Sequence, residues 1–270
     1  MALASSAGQL SADAVRVDRT QFANIAGDYV HMPLLPEGRV AEYTIRKHLS
    51  GIVHGRRVLD LACGTGRWSR FALELGAGEV VGVDISSTMI ANAQTLSQTA
   101  SAPRNIEYVI GDASKTLVGP AFTSKFDVAL AMCFLNYARN EIEIFSMWQV
   151  MASNVSEGGR LVALVPSLDL ADDYSTPIDP RYGTSFRRKE AVNVGAVDWG
   201  YKTTFLAATS GKSIEFDMYR LNREVYLRAA HGAGFQDVKF HDMQYPDCND
   251  AEYWDEYKRR PHYEILTAIR

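Results

Sequence analysis

Val58-Leu59-Asp60-Leu61-Ala62-Cys63-Gly64-Thr65-Gly66 decides the reading of this chain. Apolar residues flank one acid, and a loop of small residues follows at once. The pattern predicts a buried strand running into a tight turn that opens a helix over 67–75. In an open α/β sheet, ligands bind outside the carboxyl ends of the strands. Gly64 and Gly66 have no side chain, so a ligand can lie directly on the backbone there. The unpaired N–H groups at the start of the following helix favour an anion.

Asp60 bears on which ligand. It would repel a pyrophosphate placed over the loop and attract a cofactor bearing an ammonium and a sulfonium. The loop also departs from the dinucleotide pattern G-x-G-x-x-G, ending in Ser69. Taken singly, the glycine pattern also fits an ordinary strand-to-helix turn. Cys63 is read as a small packing residue in preference to a nucleophile.

The next apolar segments repeat this design. Glu79 to Ile85 is a second strand with Asp84 near its end, at about the spacing used to hold ribose hydroxyls. A helix over 86–100 follows, with Ser86 or Ser87 as its cap. Met89 near its start is placed either against a purine or in the core. Ile106 to Ile110 is the third strand, followed by Gly111-Asp112-Ala113; Asp112 can accept from an exocyclic amine, and the Ala113 backbone can meet a ring nitrogen. Phe126 to Met132 is the fourth, leaving through Cys133-Phe134-Leu135-Asn136-Tyr137. Each acid alone also fits a turn or cap. In order, at α/β spacing, they form a row of carboxylates along one edge of a sheet.

These motifs resemble those of class I S-adenosylmethionine-dependent methyltransferases. Val58 to Gly66 resembles the family's first motif, Val83-Asp84-Ile85-Ser86 its second and Gly111-Asp112-Ala113 its third. Phe126 to Leu130 resembles the strand before the reaction site. Ala62 stands where many members have glycine, a common replacement. The resemblance covers about residues 20 to 165 and implies a Rossmann-like α/β fold: a seven-stranded, mostly parallel sheet with helices on both faces. It implies S-adenosylmethionine as cofactor, with Asp60 facing the methionyl ammonium, Asp84 the ribose, and Asp112 and Ala113 the adenine. The candidate cofactor-binding set is Tyr29, Asp60, Ala62, Cys63, Gly64, Gly66, Asp84, Ile85, Met89, Asp112, Ala113 and Met132.

The flanks are less regular. Residues 1–20 are expected to be mobile. A helical arm over 21–52, broken at His31-Met32-Pro33, either covers the ligand or packs on the domain, with Tyr29 nearest the site. The cofactor-binding core is expected over 53–166. After it, a helix over 140–155 shows Ile142, Phe145, Trp148 and Ala152 on one face and ends at Gly158-Gly159; a fifth strand follows over 160–166. Residues 167–221 read as a substrate cap, with antiparallel strands over 196–208 and 213–221. Its Tyr182, Trp199 and Tyr201 either wall a pocket or form a small satellite core. Residues 222–270 complete the sheet, closing on an antiparallel strand.

The implied reaction is in-line methyl transfer, which needs alignment more than acid catalysis. His31 and His241 are the candidate bases if the acceptor holds a proton. Asn136 and Tyr137 are the candidate substrate contacts. The exit from the fourth strand lacks the Asn/Asp-Pro-Pro-aromatic sequence of adenine and glutamine methyltransferases. The Leu135-Asn136-Tyr137 exit, the Phe22 to Tyr29 opening and Tyr226 to Phe235 together resemble small-molecule enzymes of bacterial secondary metabolism, including the toxoflavin N-methyltransferase group, and an aromatic or heterocyclic acceptor is preferred.

Bulk properties agree. The 270 residues carry a net charge of −4, with 47% hydrophobic and 22% charged residues. No basic stripe calls for nucleic acid or an anionic membrane. Three scattered cysteines suggest a reducing, cytoplasmic setting and no zinc site. Neither a secretory signal nor a membrane span is expected. Oligomeric state is not readable. Two other classes remain: a nicotinamide-dependent oxidoreductase, disfavoured by Asp60 and Ser69, and a non-catalytic protein that keeps the fold as a binding module.

Overall fold

A computed structural model describes residues 21–99, 105–167, 180–194, 197–209, 212–246 and 251–270. The expected mobile segment at 1–20, and the first part of the expected cap, lie outside the described residues. Seven strands form one sheet: β1 (Arg57–Leu61), β2 (Glu79–Asp84), β3 (Ile106–Ile110), β4 (Phe126–Met132), β5 (Val155–Pro166), β9 (Gln236–His241) and β10 (Tyr263–Ile269). Their spatial order is β3-β2-β1-β4-β5-β10-β9. β1 pairs in parallel with β2 on one side and β4 on the other, and β10 runs antiparallel between β5 and β9. The chain moves outward from β1 to β3, then crosses to β4. The crevice at the carboxyl ends of β1 and β4 is therefore the switch point where ligands bind in such sheets.

Period-two alternation sends the strands' side chains into two cores. Leu59, Leu61, Val81, Val83, Ala129 and Ala131 meet α5 (Glu141–Asn154) and α6 (Arg223–Gly232) in one. Val58, Val80, Val128 and Leu130 meet α2 (Pro36–Leu49) and α3 (Arg67–Glu74) in the other. Strands buried on both faces read as continuous apolar runs, which is why β1, β2 and β4 were legible. The α4 helix (Ser87–Thr99) links β2 to β3, and Ser86 serves as its cap: its hydroxyl accepts from the Met89 N–H at 3.3 Å.

Several local expectations need correction. In α5, Ile142 is 81% exposed and Phe145 41% exposed, whereas Trp148 and Ala152 of the expected face are buried, together with Ile144, Met147, Val150, Met151 and Asn154. Apolar residues fall on more than one side of this helix, so spacing did not single out one face. Asn140 caps it by accepting from the Glu143 N–H at 3.0 Å. The helix gives way to β5 at Val155, and Gly158-Gly159 lie inside that strand rather than between the elements.

Beyond β5 stands a separate antiparallel sheet of β6 (Thr184–Val194), β7 (Val197–Thr209) and β8 (Lys212–Leu221), with β7 central. The sequence reading missed β6, where Arg187-Arg188-Lys189 interrupts the apolar alternation. It also missed α7 (Asp255–Arg259). At the front, α1 (Phe22–Tyr29) packs against α4 and β8. The Gln21 amide fastens it there, donating to the Asp217 carbonyl at 2.9 Å and accepting from the Asp217 N–H at 2.8 Å. Among the described residues, no helix is long and apolar enough to cross a membrane.

Candidate active site

Two turns leave the switch point in left-handed backbone. Ala62, just after β1, has φ 56°, and Cys133, just after β4, has φ 55°. Such residues cost about 1 kcal/mol or more and collect at functional sites. The first turn is tied down from β2: Asp84 accepts from the Gly64 N–H at 2.8 Å with one oxygen and from the Ser86 N–H at 2.8 Å with the other. Gly64 has φ 55°, and a Cβ placed there would meet no atom within 4 Å. Its bare backbone faces open space, the condition for a ligand to rest on it.

Two lobes of a cavity adjoin here. The first has about 940 Å³ of empty space, mouth included. Asp84, Ile85, Met89, Asp112 and Ala113 line it, together with Phe22, Tyr29, Tyr137 and Phe216. The second has about 770 Å³ and runs beneath the α1–α2 segment, along Ala62 to Thr65 and Arg67, to Glu37 and Phe205. Tyr29, Met32, Ala62, Gly64, Met132, Cys133 and Tyr263 line both.

Asp112 accepts from the Ser114 N–H at 3.0 Å and its hydroxyl at 2.6 Å, and Lys115 lies 3.1 Å from its other oxygen. Burial alone would raise its pKa, but the Ser114 and Lys115 bonds outweigh it and hold the carboxyl below the usual range. Burial raises the Asp84 pKa against its two backbone bonds. Burial also pushes the Tyr29, Tyr137 and Tyr263 phenols up, and the Cys133 thiol up to about 12.

Asp60 sits elsewhere than expected. Its carboxylate is fully buried under the loop and lines neither lobe. The Ser69 hydroxyl donates to one oxygen at 2.6 Å, while the other has no partner among the described residues. Burial pushes its pKa up to about 7, against the Ser69 bond and with a smaller contribution from Asp84. A folded-state pKa above the ordinary 3.8 means that the folded protein holds the proton more tightly. Stability is then greatest below the ordinary value and declines as pH rises from about 4 to about 7. Asp60→Asn removes this loss. In the ligand-free protein the variant is expected to melt above the wild type at pH 8, with the gap closing toward pH 4. Equal melting points at both pH values would contradict it.

The remaining sequence candidates divide. Cys63 lines the second lobe, whereas Gly66 lies beneath the loop, left-handed at φ 73°, as the residue before α3. Tyr137 lines the first lobe; Asn136 beside it is buried and lines neither. His31 is exposed and outside both lobes. His241 lies on β9, its Nε2 2.9 Å from the Thr267 hydroxyl and its ring 4.8 Å from that of His48. Neither histidine is placed to act on a ligand in the cavity.

The aromatics singled out after β5 also lie elsewhere. Tyr182 is buried, stacked on Trp254 and donating to the Tyr253 carbonyl. Trp199 is core, its indole donating to the Ala138 carbonyl at 3.3 Å. Tyr201 is half-buried on β7, outside both lobes. The rings that do line the first lobe are Phe22, Tyr29, Phe134, Tyr137, Phe216 and Tyr263. Phe22 stands 5.9 Å from Tyr29, 5.6 Å from Tyr137 and 5.2 Å from Phe216. Phe22, Met32, Glu37, Phe216 and Tyr263 were missed. The alternation of β8 could have offered Phe216; Glu37, beside a helix-starting proline, reads as an ordinary first-turn acid.

Known proteins agree with this geometry. The profile of the family described as "Methyltransferase domain" matches residues 58–159. The chain is 28% identical over 233 residues to the ubiquinone/menaquinone biosynthesis C-methyltransferase UbiE of Stutzerimonas stutzeri, covering 82% of each. Its fold is similar to that of the CcbJ methyltransferase of Streptomyces caelestis, with a TM-score of 0.62 at 20% identity over 93% of this chain and 98% of that one. It is also similar to DhpI, solved as a complex with SAH, with a TM-score of 0.58 at 16% identity over 93% of each chain. The acid-edged switch point, the bare-backbone turn and these matches support a class I S-adenosylmethionine-dependent methyltransferase, with the methyltransferase-domain match confined to residues 58–159.

Proposed function

We propose that the protein methylates a small aromatic or heterocyclic molecule held in the chamber of Phe22, Tyr29, Tyr137 and Phe216. The observation that supports this most is the lining of the first lobe. Carboxylates and small residues share it with these four rings, and Met132, Cys133 and Tyr263 are shared with the second lobe. When bound, S-adenosylmethionine supplies an electrophilic methyl group on a positively charged sulfur.

The chain's own residues bind, orient and exclude water. Asp84 keeps lone pairs for the ribose hydroxyls after its two backbone bonds are made. Asp112 accepts from the adenine amino group, beside the Ala113 backbone. Met89 and the half-exposed Ile85 flank the purine. The rings stack on a flat acceptor and keep the chamber dry, so alignment supplies most of the rate. No histidine lines either lobe, and burial raises the phenols of Tyr29, Tyr137 and Tyr263 and the thiols of Cys63 and Cys133, so that they hold their protons. The acceptor must therefore be nucleophilic as it arrives, such as an electron-rich ring carbon or an unprotonated ring nitrogen. UbiE's name specifies carbon methylation in quinone biosynthesis, which suits the first of these; the resemblance to toxoflavin N-methyltransferases suits the second.

The test is mass spectrometry of a bacterial metabolite extract incubated with the protein and deuteriomethyl cofactor. The expected result is label on a small aromatic or heterocyclic compound. Label only on macromolecules, or on none of the extract's metabolites, would overturn the reading.

A further inference from the structure

The second lobe holds two charged side chains among its described lining residues, and they are opposite. Glu37 is anionic and almost wholly buried at the start of α2. Its Oε1 accepts from the Tyr257 hydroxyl at 2.7 Å and lies 3.0 Å from His262 Nδ1. Its Oε2 is buried with no partner among the described residues. A carboxylate oxygen left so carries a desolvation cost, which a donor that reached it would remove.

Arg67 opens α3 directly after the glycine turn. One of its nitrogens, Nη2, donates to the Gly38 carbonyl at 2.9 Å and to Glu42 at 3.3 Å. That bond draws α3 against the start of α2, next to Glu37. Nε and Nη1 make no hydrogen bond among the described residues; they lie on different edges of the guanidinium, so each is a separate single donor for a carboxylate. Between the two charges runs the backbone of Ala62 to Thr65. An anionic and a cationic residue lining one lobe, beside a strip of open backbone, are the complement of an α-amino-acid zwitterion.

We propose that Glu37 and Arg67 bind the amino-acid end of the cofactor, Glu37 accepting from its ammonium and Arg67 donating to its carboxylate. This rests on the methyltransferase reading and replaces Asp60 in the role that the sequence assigned to it. Asp60 is sealed beneath the turn, whereas Glu37 lines the lobe.

The experiment compares two nucleosides by calorimetry: S-adenosylhomocysteine, which has the amino-acid end, and 5′-methylthioadenosine, which lacks it. The wild type should prefer the first by about tenfold or more, the scale of a charged hydrogen bond. Glu37→Gln and Arg67→Gln should each shrink that preference by about tenfold and leave methylthioadenosine within about twofold. A preference unchanged in both variants, with melting points showing them folded, would overturn the proposal. So would an equal loss for both nucleosides, which marks a change in the fold. Should Glu37→Gln not fold, the wild type decides: the deamino analogue of S-adenosylhomocysteine should bind about tenfold more weakly, and equal binding would overturn the Glu37 assignment. If the wild type binds neither nucleoside, the cofactor reading itself fails, a separate outcome.

Discussion

Replacing Asp84 with alanine is expected to weaken S-adenosylhomocysteine binding by about 3 kcal/mol, roughly a hundredfold. Two effects combine. The proposed ribose contacts are lost, each a hydrogen bond to a charged group worth about 1.5–3 kcal/mol. The turn also loses its fastening, because the same carboxylate accepts from the Gly64 N–H at 2.8 Å and the Ser86 N–H at 2.8 Å. Asp84→Asn should lose nearly as much, since an amide presents a donor edge to one of those N–H groups. Calorimetry checks both. An affinity within threefold of wild type, in a folded variant, would mean that the ribose is held elsewhere.

Gly66→Ala carries the second large effect, this time on stability. Gly66 has φ 73°, and left-handed backbone costs a side chain about 1–2 kcal/mol. A Cβ there would also overlap the Tyr108 phenol. That ring is held in place by a 3.0 Å hydrogen bond between its hydroxyl and Ser97, so it cannot swing aside freely. The sum should exceed about 2 kcal/mol, read as a lower urea midpoint with an unchanged slope. In a Tyr108→Ala background the overlap disappears, so Gly66→Ala should cost less there. An equal cost in both backgrounds would show that backbone strain alone is responsible.

The first five strands were legible because β1, β2 and β4 are buried on both faces and therefore read as unbroken apolar runs. Asp84, Asp112 and Gly64 were legible because strand ends and bare turns lie at set distances along such a chain. What failed was facing. Asp60 has the right residue type at the right distance, yet its side chain turns under the loop toward Ser69. Tyr182 and Trp199 carry the composition of a pocket wall but pack inward, and spacing cannot separate those outcomes in a segment with two buried faces. Phe22, Glu37 and Phe216 meet around the cavity from distant parts of the chain. Only tertiary packing brings them together, and no local pattern announces it.

The position of β10 bears on how the molecule assembles. This strand is late in the chain yet occupies an interior slot, hydrogen-bonded to β5 on one side and β9 on the other. Until it arrives, β9 has no strand beside it in the sheet, and β5 shows a bare rim along Leu161-Val162-Ala163-Leu164-Val165, the sort of rim that recruits other chains. Such remote pairing is slow to form. Polypeptides cut short before residue 263 should accordingly self-associate on release, and a helper that shields β5 meanwhile should raise the yield of native protein.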